Sequence, residues 1–197
     1  MSGSVLVVVE HDRGTLSPAT LEALTAARPL GAVDALTIGE AADALTAELA
    51  AHGVARVHRV HDPLLDDYGP EAWGEVVAQA ARALGPAIVL ATGTDRGNEV
   101  MAQAAARLDL PFAANATALR PGEPFGMTRV RWGGSLLEES ALTADVKLVT
   151  VAHHAFEPAA ADAPGDATPE TLAVELDPAL ARTVVRGRVE REAGVTL

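Results

Sequence analysis

The chain contains no cysteine. Disulfides, thiolate metal ligation, iron–sulfur clusters and a cysteine nucleophile are therefore excluded, and any redox chemistry has to come from a cofactor. Aromatic residues make up only 3% of the sequence while apolar residues make up 49%. A core built mainly from Ala, Val and Leu has to close by tight packing of small aliphatic side chains, which suits helices laid on a sheet. Basic residues are scarce as well: 15 Lys and Arg against 27 Asp and Glu leave a net charge of −12. So acidic a chain lacks the cationic face that non-specific binding to nucleic acid or to an anionic membrane needs. No apolar run approaches the roughly 20 residues of a membrane span. The start, MSGSVLVVVEHD, lacks the basic flank and long apolar run of a secretory signal. The expectation is a soluble, cytoplasmic protein with neither a nucleic-acid nor a membrane partner.

What is present reads as alternating strands and helices. At 197 residues the chain suffices for one domain plus an appendage. Val5 to Val9 is a continuous aliphatic run, the pattern of a strand covered on both faces. Ser17 precedes Pro18 as an N-cap before a first helical residue, and Leu16 and Leu21 stand at staple spacing, so a helix is expected from there to about Pro29. Val33 to Thr37 is a second strand; Ala41, Leu45 and Leu49 mark a helix closed by Gly53. Ala55 to Val60 is a third strand, and Trp73, Val77, Ala80 and Leu84 repeat at helical spacing over 70–84. Ala87 to Ala91 is a fourth strand, followed by the turn Thr92, Gly93, Thr94 and a helix over 95–108. The alternation predicts an α/β fold with a doubly wound, mostly parallel sheet.

Beyond a strand over 112–118 the pattern changes. MTRVRWG, SLLEESALT and VKLVTVAH read as three antiparallel strands separated by Gly133-Gly134 and by Ala144-Asp145. Residues 155–168 form a Pro/Ala/Asp stretch without periodicity, and two extended segments are expected over 171–176 and 182–191. The domain organisation expected is one domain over 1–154, a Pro/Ala linker over 155–170, and extended segments over 171–197.

The turn after the fourth strand has two readings. Helix N-terminal amides, the hydroxyls of Thr92 and Thr94, and Arg96 could converge on a phosphate. Alternatively Thr94 or Asp95 merely caps the helix while Gly97 lets it lie close to a neighbour. The turn is neither a P-loop nor G-x-G-x-x-G. Histidines invite a metal reading at His58-x-x-His61 and at His153-His154. On a strand, residues three apart or adjacent point to opposite faces, so neither pair is expected to converge on an ion. Glu138 and Glu139 face opposite sides for the same reason and read as a solvated edge. No G-x-S-x-G is present. Arg131-Trp132-Gly133-Gly134 combines residue types common at interfaces with a hairpin turn, or is an ordinary hairpin with one packed Trp.

Taken together, VLVVVEHDRGTLSPATLEALTAARPLG, ATGTDRGNEVMAQAAARLDLP with FAANATAL, RVRWGGSLLEES, VKLVTV and VEREAGVTL resemble, in order and spacing, the N-terminal domain of the electron transfer flavoprotein alpha subunit. The resemblance implies an adenine nucleotide alpha hydrolase-like fold and a non-catalytic electron-transfer component. It implies pairing with a beta subunit, and passage of electrons from flavin dehydrogenases to a quinone-linked acceptor of the respiratory chain. FAD is then expected in the complete complex, held by a C-terminal domain whose Gly/Ser/Arg-rich motif does not occur here, and AMP is expected on the beta subunit. By the resemblance Arg131, Trp132 and Gly133 face the partner or the flavin domain. Thr94, Asp95, Arg96 and Gly97 occupy the fold's nucleotide-binding edge, the only cofactor-contacting candidates in the chain. No catalytic residue and no metal ligand is expected, and an isolated chain is expected to self-associate. The alternative is a small adenine-nucleotide-binding α/β domain that uses the Thr94 to Gly97 turn for phosphate.

Overall fold

The computed structural model of the chain describes residues 3–187. Its centre is a nine-stranded sheet built from β1 (Val5–Val8), β4 (Val33–Ile38), β5 (Arg56–Val60), β6 (Ile88–Thr92), β7 (Phe112–Arg120), β8 (Phe125–Arg131), β9 (Leu136–Leu142), β10 (Lys147–Val151) and β11 (Thr168–Thr171). The short β2 (His11–Asp12) and β3 (Thr15–Leu16) form a separate two-stranded ribbon. The order across the large sheet is β11-β5-β4-β1-β6-β10-β7-β8-β9, parallel as far as β7 and antiparallel from there.

β1, β4, β6 and β10 are buried along their whole length, because helices cover both faces. Val5, Val7 and Leu90 pack with Leu24 of α1 (Pro18–Ala27) and Leu49 of α2 (Thr46–Ala51) on one side. Leu6, Val89 and Leu148 pack with Val77 of α3 (Pro70–Leu84) and Met101 of α4 (Asp95–Leu108) on the other. Each such Leu or Val removed from water contributes about 1.5–3 kcal/mol of transfer free energy. With few aromatics to fill space, helices have to approach closely. Gly74 of α3 does this against α4, where an added Cβ would lie 2.3 Å from the Cβ of Gln103.

The doubly wound expectation holds, and α3 and α4 run over the expected residues. Three details differ. VKLVTV is not the third strand of an antiparallel meander: as β10 it inserts, parallel, between β6 and β7. It is buried at every position, Lys147 and Thr150 included, as a central strand is, whereas β9 is mostly exposed and β8 mostly half-buried. The helix expected around Ala41 to Leu49 begins as a 3-10 turn over Glu40–Leu45 before α2. Ser17 has N-cap backbone geometry but makes no side-chain cap. Instead the Glu10 carbonyl accepts bonds from the Ser17 amide (3.0 Å) and the Thr20 hydroxyl (2.9 Å), tying the helix start to the strand end.

The chain after β10 is held against this body. The Ala159 carbonyl accepts from Arg28 Nη1 at 2.7 Å, and the Gly165 amide donates to the Ala50 carbonyl at 2.8 Å. β11 then adds to β5 as the edge strand, beginning at Thr168 rather than Thr171. Leu172, Val174 and Leu176 pack on the α3 side, while Gln79 of α3 exchanges two hydrogen bonds with the Glu175 backbone (2.7 and 3.0 Å). Of the extended segment expected over 182–191, residues 188–191 lie outside the described residues.

Candidate functional site

The first two crossovers carry the chain from β1 outward to β4 and β5, and α3 then returns it to β6 on the far side of β1. The winding direction reverses between β1 and β6, and the crevice at their carboxyl ends is where open α/β sheets place ligands. In this chain that crevice is largely closed by its own side chains. Glu10, directly after β1, points its carboxylate at the turn after β6, where Oε2 accepts from Thr92 Oγ1 (2.6 Å) and from Thr94 Oγ1. Thr94 is also the N-cap of α4, its hydroxyl accepting from the Gly97 amide at 3.0 Å. Gly97 packs so closely on β6 that a Cβ would lie 2.0 Å from the Thr92 carbonyl oxygen. Glu10 occupies the position an anion would take at a helix start. A nucleotide phosphate placed there would meet a like charge, with the Thr92 and Thr94 hydroxyls already donating to it.

Arg96 does not join Thr94. Its guanidinium lies over the Tyr68 ring, 4.9 Å from the centroid, and Asp95 is exposed. Tyr68 donates to Glu99 Oε2 at 2.9 Å and packs edge-on against Trp73. Burial, reinforced by the Glu99 hydrogen bond, raises the phenol pKa well above its ordinary value. His11 completes the wall beside Trp73. The Gly14 amide donates to its Nδ1 (3.3 Å), and its Nε2 faces the Ile38 carbonyl at 2.8 Å. The space left among Glu10, Tyr68, Trp73 and Arg96 is about 20 Å³, room for about one water. The buried Trp73 Nε1 has no protein partner.

A wider hollow of about 420 Å³ lies along the same edge of the sheet, lined by Gly93, Asn115, Arg131, Trp132, Gly133 and His153 among others. Its floor is rigid: Thr150 Oγ1 donates to Asn98 Oδ1 (2.7 Å), Asn98 Nδ2 donates to Asn115 Oδ1 (3.1 Å), and the Asn115 amide donates to Thr150 Oγ1 (3.0 Å). Its rim is the end of the β8–β9 hairpin. Trp132 is 82% exposed and Leu137 72%, too much apolar surface at one loop for an ordinary packed hairpin. Arg131, Trp132 and Gly133 border one hollow, whereas of the other four only Thr94 and Gly97 meet, Arg96 turning to Tyr68 and Asp95 to solvent.

Among the charged residues weighed in the sequence, Glu138 and Glu139 do face opposite sides. Glu138 pairs with Arg129 (2.8 Å) and Arg131 (3.4 Å), and Glu139 with Arg120 and the Thr128 hydroxyl. The Thr128 hydrogen bond, helped by Arg120, holds the Glu139 carboxyl below the usual carboxylate range. His58 and His61 separate: His58 is buried beside Asp34 and Glu170, while His61 meets Asp43 at 3.0 Å. On β4 and β5, Asp34 holds Arg56 through two bonds (2.6 and 3.2 Å), which push the guanidinium pKa up further. The adjacent pair behaves otherwise than a strand geometry predicts. His153 and His154 lie in a turn beyond β10, where His154 takes φ +64°, and their rings stack at 3.8 Å on the same side.

Glu10, Tyr68 and Glu22 were not singled out from the sequence. The signal available for Glu10 was its place immediately after a fully buried strand next to the reversal point. Tyr68 and Glu22 carry none, since Tyr68 meets Glu99 of α4 and the Glu22 carboxylate meets the His154 amide in the turn after β10.

The chain is a doubly wound α/β sheet whose edge at the reversal point is filled by its own side chains, extended by an antiparallel hairpin with an exposed apolar end. The family model described as the electron transfer flavoprotein domain matches residues 5–177, and the chain belongs to that family. It is 33% identical over 158 residues to a probable mitochondrial electron transfer flavoprotein subunit alpha of Caenorhabditis elegans, covering 79% of this chain and 47% of the relative. It is 32% identical over 155 residues to the electron transfer flavoprotein subunit alpha of Mycobacterium tuberculosis (78% and 48% covered). To the Bacillus subtilis subunit alpha it is 26% identical over 202 residues, with 100% and 62% covered. The chain spans about half the length of the first two relatives. No helix among the described residues is long and apolar enough to cross a membrane.

Proposed function

We propose that this chain is the platform domain of an electron transfer flavoprotein alpha subunit, a carrier component with no catalytic residues of its own. It pairs with a beta subunit in a complex that takes electrons from flavin dehydrogenases and delivers them to a quinone-linked acceptor. The family match over residues 5–177 carries this reading. The exposed hairpin end supports a docking role for Arg131, Trp132 and Gly133. FAD supplies the redox chemistry in the complete complex and AMP sits on the beta subunit, while Thr94, Asp95, Arg96 and Gly97 brace the edge of the sheet beside the interface. The cysteine-free composition suits a reducing, cytoplasmic setting.

Co-expression with the beta subunit from the same organism tests the proposal. A one-to-one complex by native mass spectrometry is expected, and Trp132→Ser combined with Leu137→Ser should abolish it while leaving the thermal unfolding midpoint of the chain unchanged. The purified chain alone should carry no visible flavin absorption and should self-associate through the same hairpin. Failure to pair, or stoichiometric flavin on the isolated chain, would overturn the reading. Micromolar binding of AMP or ATP by calorimetry would instead favour a nucleotide-binding domain.

A further inference from the structure

We propose that Glu22, His153 and His154 form a binding site for a divalent cation of the zinc class, with one coordination position open. The inference is independent of the electron-transfer reading. Glu22 belongs to α1, and its carboxylate is 5% exposed. One of its oxygens, Oε2, is fixed by the backbone amide of His154 at 2.6 Å. The other, Oε1, lies 3.7 Å from His153 Nε2 and 3.6 Å from His154 Nδ1.

Those two separations are too long for hydrogen bonds. They are close to what a shared ion requires. Zn²⁺ binds imidazole nitrogen and carboxylate oxygen at about 2.0–2.2 Å, so tetrahedral ligand atoms stand about 3.3–3.5 Å apart. All three candidate ligand atoms lie within 4.8 Å of one another, and the two exposed rings can turn to close the set. Two neutral imidazoles and one carboxylate form a donor set typical of zinc sites that keep a position for water or a further ligand.

Three features make the arrangement more than a chance meeting of surface histidines. The αL backbone of His154 turns two sequence-adjacent rings to one side, where they lie stacked, and the pair has to splay for both nitrogens to face one ion. The His154 amide orients the carboxylate from behind, the part that outer hydrogen bonds play in metal sites. Finally, a single backbone N–H is a thin complement for a carboxylate so deeply buried, and a cation at Oε1 would complete its charge balance. His153 also lines the hollow beside the hairpin end, so the open position adjoins the surface offered to a partner.

Titration of the full chain with Zn²⁺ by calorimetry, and with Co²⁺ by visible absorption, tests the site. One ion per chain is expected, with a Kd of about 1 µM or tighter at neutral pH and a Co²⁺ spectrum of low coordination number. Affinity should fall in acid, because a ligand has to shed its proton to bind the metal. Glu22→Gln keeps the acceptor for the His154 amide, and His154→Asn keeps a residue that tolerates the αL backbone. Each should weaken binding at least about 10-fold. His61→Asn, at the exposed histidine paired with Asp43, should leave it unchanged. Circular dichroism confirms that the variants are folded. No uptake by the unaltered chain, or uptake equally tight in Glu22→Gln and His154→Asn, would overturn the proposal.

Discussion

Two neighbouring turns on the carboxyl edge of the sheet solve a similar problem differently. β6 and β10 run side by side with Thr92 in register with Val151, so the chains leaving them emerge together. Each turn faces a carboxylate supplied from the segment around α1: Glu10 for the turn after β6, Glu22 for the turn after β10. At the first, two hydroxyls donate to the carboxylate, and the helix behind is seated by a glycine in direct contact with β6. Hydroxyls do not titrate in the physiological range, so the donors of this turn stay the same across it. At the second, one backbone amide and two imidazoles face the carboxylate, and imidazoles exchange protons and bind metals in that range. A carboxylate at a sheet edge is thus sealed or left reactive according to the partners it meets.

The first turn should be the more fragile. Gly97→Ala forces a Cβ against the Thr92 carbonyl and should cost about 2–3 kcal/mol in urea unfolding, whereas His154→Asn, at an exposed position of the second turn, should stay within about 0.5 kcal/mol. Equal losses at the two positions would remove the contrast. Smaller is the effect of Glu10→Gln, which retains shape but weakens charge-assisted bonds from Thr92 and Thr94. A loss of about 1–2 kcal/mol is expected, and a double-mutant cycle with Thr94→Val should show coupling. The smallest effect is spectroscopic. Tyr68 is the only tyrosine in the chain, so an ultraviolet titration reports it alone. It should ionise well above the ordinary value of about 10, and Glu99→Gln should lower that pKa only in part, because burial is the leading cause. The raised pKa favours the protonated phenol in the folded chain. Its contribution to stability is therefore full below about pH 10 and lost as pH rises through the folded value. A Tyr68 titrating at the ordinary value would mean that the crevice at the first turn is open to water.

Much of the fold was legible in the sequence because its elements are locally consistent. β1 is a pure aliphatic run, α3 repeats Trp73, Val77, Ala80 and Leu84 on one face, and Thr94 caps α4 as one of the two readings of its turn required. β10 was equally legible as a strand, yet its neighbours were not: local pattern records that a segment is buried on both faces and says nothing of which strands lie beside it. VKLVTV carries Lys147 and Thr150 where β1 is wholly aliphatic, so its pattern did not mark it as a strand of the middle of the sheet.

The candidate site divides along the same line. A large aromatic beside glycines in a turn drew notice to Arg131, Trp132 and Gly133, but their composition left a packed hairpin equally open; only the fold places Trp132 out in solvent. The pairing of Glu10 with Thr94 spans 84 positions and that of Glu22 with His154 spans 132, and no spacing rule reaches so far. The histidine pair was misplaced on a strand for a further reason. Alternation holds only while the backbone stays extended, and a single residue at positive φ cancels it.

The sequence by itself determined the layer architecture, the parallel half of the sheet, the small-residue core and the exclusion of thiol chemistry. Each of these follows from composition and short-range periodicity, which every compact solution of the chain must respect. Only the tertiary structure decided that the nucleotide edge is filled by Glu10, that β10 lies between β6 and β7, and that Glu22 meets two stacked imidazoles. Those outcomes depend on contacts between segments distant in the chain, formed when the sheet brings its carboxyl edge together.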